Sequence, residues 1–267
     1  MDIQQLKSLK ILVIGDSCTD IYNYGSCNRI SPEAPVPVLK TVYTEEKPGM
    51  ALNVEANLKA FGHKTRILTN KETIIKERFI DQKTMQHLLR VDKGETYQLD
   101  CINTMLLGTV KKMDFDYDCV VISDYDKGFI RSDVCKSLIS ELSKNNAVIF
   151  VDSKKKDLSC YSGCIVKINE KEYKSMEVAP IGSELIVTLG PLGARWGDKE
   201  FPTESSTVFD VCGAGDTFLS AFVTAYMNTF SFPKSIDFAN KCAGIAVKKF
   251  GNYIVSLEDL ELNDIRI

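Results

Sequence analysis

Short apolar runs alternate along the chain with longer stretches whose apolar residues recur every three or four positions. LKILVIG (9–15), CVVIS (119–123), AVIFVD (147–152), CIVKI (164–168) and ELIVTLG (184–190) are the runs. Continuous apolar stretches of this length predict strands buried on both faces. Between them lie helical patterns. After Gly49, Leu52, Ala56, Leu58 and Phe61 keep roughly helical spacing until Gly62, and Val134, Leu138, Ile139 and Leu142 share one helical face. A further strand is expected at 64–69, a helix beginning near 98, a strand-like TVFDV (207–211), and a long helical pair over 214–249. Buried strands separated by amphipathic helices predict an α/β fold, a mostly parallel sheet with helices on both faces. VPVLKTVY (36–43) and TIIKERFI (73–80) break the rhythm. Rich in β-branched residues and mixed in polarity, they predict half-exposed strands of a small flap. No repeat, low-complexity tract or linker composition divides the chain, so one domain over 1–267 is expected.

Composition removes several function classes. Lys and Arg number 33 against 36 Asp and Glu, without the basic surplus of a nucleic-acid binder. No apolar run is long enough to span a membrane, and MDIQQLKSLK is too polar for the apolar core of a signal peptide. The nine cysteines show no paired C-x-x-C spacing, which predicts reduced thiols in a cytoplasmic protein rather than a disulfide framework or zinc site.

Candidate chemistry follows the TVFDV stretch, because ligands of open α/β sheets lie beyond the carboxyl ends of the strands. There CGAGDTF (212–218) runs a glycine-rich turn into a helix. Gly213, Ala214 and Gly215 would offer backbone N–H groups at the helix start, where the dipole also favours an anion, with no side chain to block a phosphate. Asp216 comes next. A carboxylate there would repel a simply bound phosphate, but it makes sense beside an incoming hydroxyl whose proton it accepts while the N–H groups hold the transferring phosphoryl group. A helix start with an acidic first turn and small packing residues is the plainer alternative.

DVCGAGDTF (210–218) resembles the D-x-x-G-A-G-D signature of ribokinase-like (PfkB-type) carbohydrate kinases. GMALNVEANLKAFG (49–62) is similar to that family's sugar-binding turn and helix, NEKE (169–172) to its N-x-x-E element, and TLGPLG (188–193) to its T-x-G-x-x-G stretch. The matches occur in family order. The resemblance implies the ribokinase-like fold and ATP with Mg2+ as cofactors. It implies Asp216 as catalytic base and Gly213, Ala214 and Gly215 as an anion hole. Asp20, Gly49 and Asn53 would meet the sugar, and Asn169, Glu170, Lys171, Glu172, Thr188, Gly190 and Gly193 the nucleotide. Asn169 and Glu172 would support the metal through water. RISPEAPVPV (29–38), SDYDKG (123–128) and VDSKKKD (151–157) look like the heptose-phosphate kinase branch, which phosphorylates D-glycero-D-manno-heptose 7-phosphate at O1 and occurs alone or fused to a nucleotidyltransferase. The implied product is the 1,7-bisphosphate, for a lipopolysaccharide or another glycan, and the second domain would be absent here.

Each residue has a plainer reading beside this one. Asp20, after a strand, suits two sugar hydroxyls or a surface turn. Asn53 lies one helical turn from Gly49 and suits the same ligand or an internal cap. Asn169 and Glu172 share a helical face, for water-bound magnesium or for solvent. Lys76 and Arg78 alternate on a strand, so both emerge on one face, as a sugar-phosphate clamp or a solvated edge. Lys127 beside Asp124 suits substrate or a loop ion pair. Two features depart from the family: Met50 replaces the second glycine of the sugar turn, and 70–98 is too short for the usual helix and strand. Exposed flap strands make a homodimer through the lid the expected assembly. A sugar kinase, for this or another acceptor, competes with a non-catalytic relative. An oxidoreductase would need G-x-G-x-x-G after the first strand, where the chain reads GDSCTD.

Overall fold

The computed structural model describes residues 3–95, 102–203 and 208–267. Strand β1 (Lys10–Gly15) leads into a lid built from β2 (Ser17–Ile30), β3 (Pro37–Met50), β5 (Ile74–Asp81) and β6 (Gln86–Lys93). Helix α1 (Ala51–Ala60) and β4 (Lys64–Thr69) intervene, and α2 (Ile102–Lys112) follows. The rest alternates: β7 (Cys119–Asp124), α3 (Ser132–Ser143), β8 (Val148–Ser153), β9 (Ile165–Asn169), α4 (Glu170–Ser175) and β10 (Glu184–Thr188). The short β11 (Ala194–Trp196) and β12 (Lys199–Phe201) precede α5 (Ala214–Thr229), α6 (Phe232–Ala246) and α7 (Leu257–Leu262).

The main sheet has the order β12-β11-β10-β9-β8-β7-β1-β4, parallel except for β11 and β12. Its strands bury alternate residues on opposite faces, as the pleat requires. Ile11, Val13, Val121 and Phe150 pack beneath α1, α5 and α6, whereas Leu12, Ile14, Val120 and Val151 pack toward α2 and α3. Two apolar faces explain the unbroken apolar runs.

The lid is larger than the two flap strands the pattern predicts. Its order is β3-β2-β5-β6, with β2 and β5 parallel. Strand β2 is polar at Asp20, Asn23 and Asn28 and interrupted by Gly25, so it carries no clean alternation; tertiary pairing makes it a strand. Strands β5 and β6 fill the stretch before α2, so β4 stays at the edge of the main sheet. Two expectations fail. Val208–Cys212 is irregular chain rather than the end of a strand. Cys135 of α3 and Cys160 form a disulfide with Cα atoms 5.7 Å apart, because the fold brings together two thiols 25 residues apart with no motif to announce them.

Candidate active site

Helix α5 is placed by a polar seam with α1. Ser220 Oγ donates to Val54 O (3.2 Å), and Thr217 Oγ1 to Asn57 Oδ1 (3.3 Å). Small hydroxyl residues let the helices approach closely, and the seam brings Asn53 to Asp216. Asn53 Nδ2 donates to Asp216 Oδ2 at 2.8 Å, and the Tyr125 hydroxyl to Oδ1 at 2.9 Å. Asp216 is almost wholly buried, and burial pushes its carboxyl up to about 6. The two hydrogen bonds and Lys167 oppose that rise, while Asp152 adds to it. A carboxylate poised near neutrality suits a general base.

Gly213 starts α5 in the left-handed region, φ +73°. A Cβ there would lie 2.8 Å from Asn53 Nδ2, and one on Gly215 would lie 3.1 Å from Lys167 Nζ. The first N–H groups of a helix lack intrahelical partners; Ala214 N donates instead to Val211 O at 3.3 Å, and the turn lines the adjacent cavity. That cavity measures about 720 Å³. Gly213, Ala214, Gly215 and Asp216 form one wall, and Thr188, Gly190 and Gly193 another. Asn169, Glu170 and Lys171 line it too, so most of the expected nucleotide residues meet in one place. Leu189, Val208, Val211 and Val247 make one apolar region; Asp152, Lys154 and Lys167 supply charge. The volume falls in the usual range for small-molecule sites.

Asn169 and Glu172 do not stand free on a helical face. Asn169 is the N-cap of α4, its Oδ1 accepts from Glu172 N, and Glu172 Oε2 accepts from Asn169 N, both at 2.8 Å. Glu172 Oε1 accepts from Lys154 Nζ at 2.8 Å. Nearby, Asp152 Oδ2 accepts from Lys167 Nζ at 2.6 Å, while its buried Oδ1 has no partner. Among the described residues no three acidic, histidine or cysteine side chains gather as a metal cage.

On the acceptor side, Asp20 sits within β2 rather than in a loop, buried and ion-paired with Arg78. Asn252 Nδ2 donates to its other oxygen at 2.6 Å. A side chain on Gly49 would overlap Asp20 and Cys18, which accounts for glycine there. Met50 adopts φ +56° as the N-cap of α1 and buries its side chain with Cys18, Ile74 and Tyr125. This positive φ favours glycine, the residue that the family resemblance leads one to expect here, and it strains Met50 by about 1–3 kcal/mol.

Lys76 and Lys127 converge on Glu95, with Nζ to carboxylate distances of 3.9 and 2.8 Å. Asp124 is separate from them. It is fully buried and pairs with Lys155 Nζ (2.9 Å), with Ser153 Oγ (3.0 Å) and Tyr161 as further donors, so it supports the loop from below and offers nothing to a substrate. Tyr125, Asp152, Lys167 and Asn252 escaped sequence reasoning. Lys167, a lone charge inside the apolar run CIVKI, was the one with a readable signal.

Known proteins resemble the chain in sequence and in fold. The model for "pfkB family carbohydrate kinase" matches residues 164–259. A bifunctional protein HldE from Sulfurimonas denitrificans is 32% identical over 94% of the chain. The chain contains a pfkB carbohydrate kinase domain. Another HldE, from Haemophilus influenzae, is 32% identical over 96% of this chain. The chain spans only 63% and 64% of the length of these two relatives. Among solved structures, phosphofructokinase-2 from Escherichia coli superposes with a TM-score of 0.76 at 16% identity, covering 95% of this chain and 97% of that one. A ribokinase from Thermotoga maritima gives 0.64 at 18%, covering 95% and 98%. The pfkB fold is thus the ribokinase-like one. No described helix is long and apolar enough to cross a membrane.

Proposed function

We propose that this chain transfers the γ-phosphoryl group of ATP to a sugar phosphate, D-glycero-D-manno-heptose 7-phosphate at O1. The observation that carries the kinase reading is Asp216, buried and raised to about 6 beside the Gly213–Gly215 turn. The heptose assignment draws on the HldE relatives and on segments 29–38, 123–128 and 151–157.

In this reading ATP fills the 720 Å³ cavity, its base against Val208, Val211 and Val247 and its phosphates toward Lys154 and Lys167. The acceptor hydroxyl lies against Asp216, which takes its proton as the oxygen attacks the γ-phosphorus and the bond to ADP breaks. The α5 N–H groups hold the charge of the moving phosphoryl group. Asp20 and Asn252 would meet sugar hydroxyls, and Lys76 with Lys127 the acceptor's phosphate. Magnesium fits here as a phosphate-bound ion with few protein ligands. Asp152, with its spare oxygen, would hold it directly or through water, and Asn169 and Glu172 through water. Bound there, it would neutralise phosphate charge.

Exposed apolar residues on the lid, Ile30, Val42 and Leu89 among them, support a homodimer through this sheet. A cytoplasmic setting, where ATP is supplied, completes the proposal. A coupled ADP-release assay across sugars and sugar phosphates tests it. Heptose 7-phosphate should be preferred by kcat/KM; preference for a neutral hexose would remove the heptose assignment and leave the kinase.

A further inference from the structure

One buried carboxylate has no part in this scheme. Asp16, between β1 and β2, is fully buried. Its Oδ2 accepts from the backbone N–H of Tyr125 (2.9 Å) and of Lys127 (3.3 Å), and its Oδ1 from that of Phe129 (3.1 Å). Its own N–H donates to Ser123 O at 3.1 Å, and its carbonyl accepts from Ala51 N at 2.9 Å. One residue therefore ties β1, the end of β7, the start of α1 and the 125–129 loop.

The loop is shaped for this. Asp126 and Gly128 take φ +56° and +103°, so left-handed residues alternate with the three donors. Alternation of this kind turns successive N–H groups inward into a concavity that holds an anion. Here the anion is internal. A buried carboxylate is costly unless its oxygens are satisfied, and a carboxylate can serve three donors where a neutral side chain cannot. The loop it gathers begins with Tyr125, whose hydroxyl reaches Asp216.

We propose that Asp16 is a positioning residue for phosphoryl transfer, gathering the 125–129 amides so that the Tyr125 hydroxyl is held against Asp216. This rests on Asp216 being the base. Asp216 is also faced by Asp152, Lys154, Lys167 and Cys18. Asp16 itself is faced by Asp124, Lys155 and the Tyr161 hydroxyl.

The test compares pH profiles of kcat/KM for the acceptor in wild type, Asp16→Asn, Tyr125→Phe and the double variant. Releasing Tyr125 removes a hydrogen bond that favours the charged base, so the acid limb should move up by about one unit in each single variant. The double variant should move no further than Tyr125→Phe alone, and the KM for ATP should stay within about twofold. An Asp16→Asn enzyme that loses rate at every pH with its acid limb unmoved overturns the proposal, as do additive shifts in the double variant. Should Asp16→Asn not fold, amide exchange in the wild type decides. Corrected for intrinsic rates, protection at Tyr125, Lys127 and Phe129 should fall together as pH drops through about 6, the range to which burial and Asp124 raise Asp16. Protection at Val120 and Val121 should hold. Unlinked behaviour of the three amides overturns it. A faulty base assignment would show separately, as near wild-type turnover in Asp216→Asn.

Discussion

Arg78 and Asp20 form an ion pair across strands β5 and β2, with both side chains buried. The pairing changes what Arg78 is for. On the sequence it belongs to a phosphate clamp with Lys76; in the fold its guanidinium neutralises the carboxylate expected to meet the sugar, and it lies over the Tyr22 ring, 5.0 Å from the centroid. Arg78→Ala would leave a buried charge uncompensated, which costs about 3–5 kcal/mol. Thermal melting should drop by many degrees, and phosphorylated and neutral acceptors should suffer alike. An acceptor-selective loss in a fully stable Arg78→Ala protein would restore the clamp.

The phosphate-selective positions are then Lys76 and Lys127, which share Glu95 as a common partner. A dianionic phosphate between two ammonium groups gains charge-assisted hydrogen bonds of about 1.5–3 kcal/mol. Lys76→Ala or Lys127→Ala should raise KM for heptose 7-phosphate roughly tenfold to a hundredfold. KM for ATP and turnover of an unphosphorylated sugar should change little. Equal losses on both acceptors would move the phosphate elsewhere.

Asp216→Asn keeps the shape of the base and removes its function, so kcat should fall by about a hundredfold to ten-thousandfold. The wild-type profile carries a matching signature. Burial holds the carboxyl near 6, so activity should rise with pH through that value as the base loses its proton. An acid limb near 4 would mean that the bound enzyme has a far less buried base.

The parts of this site that the sequence displayed are those where chemistry demands small residues or a local pattern. The GAGD turn was legible because its backbone and close neighbours leave little room for side chains, and the buried strands because two covered faces leave no room for polarity. Asn53 was expected at the site from its spacing to Gly49, but not as a partner of Asp216, since 163 residues separate them. Tyr125 and Asn252 lie in loops whose course depends on tertiary contacts, with no periodicity to place them. Asp124 was misread for the same reason: its neighbours Lys155, Ser153 and Tyr161 come from later in the chain, and they turn a loop aspartate into a buried support.

His63, buried between the start of β1 and α5, makes the stability of the fold depend on pH. Its Nδ1 accepts from Leu9 N at 3.3 Å, so Nε2 carries the proton toward Thr224 Oγ1, 2.9 Å away. Burial lowers its pKa from 6.5 to about 4. A group depressed on folding stabilises fully above its unfolded pKa and loses that contribution as pH falls toward the folded value. The window is therefore about 6.5 down to 4, and 2.5 units at about 1.36 kcal/mol each amount to roughly 3 kcal/mol. Asp16 and Asp216 act in the opposite sense. Both are raised from 3.8 to about 6, so each penalises the native state at neutral pH and relieves that penalty on acidification. The pH dependence of the wild type alone mixes these contributions, and a flat profile would be uninformative. The difference between wild type and His63→Gln isolates the imidazole, because both proteins retain the two carboxyls. Urea unfolding should show wild type the more stable at pH 7.5, with the gap narrowing toward pH 4 by up to about 3 kcal/mol. A gap constant across that range would mean that His63 titrates normally in the folded protein.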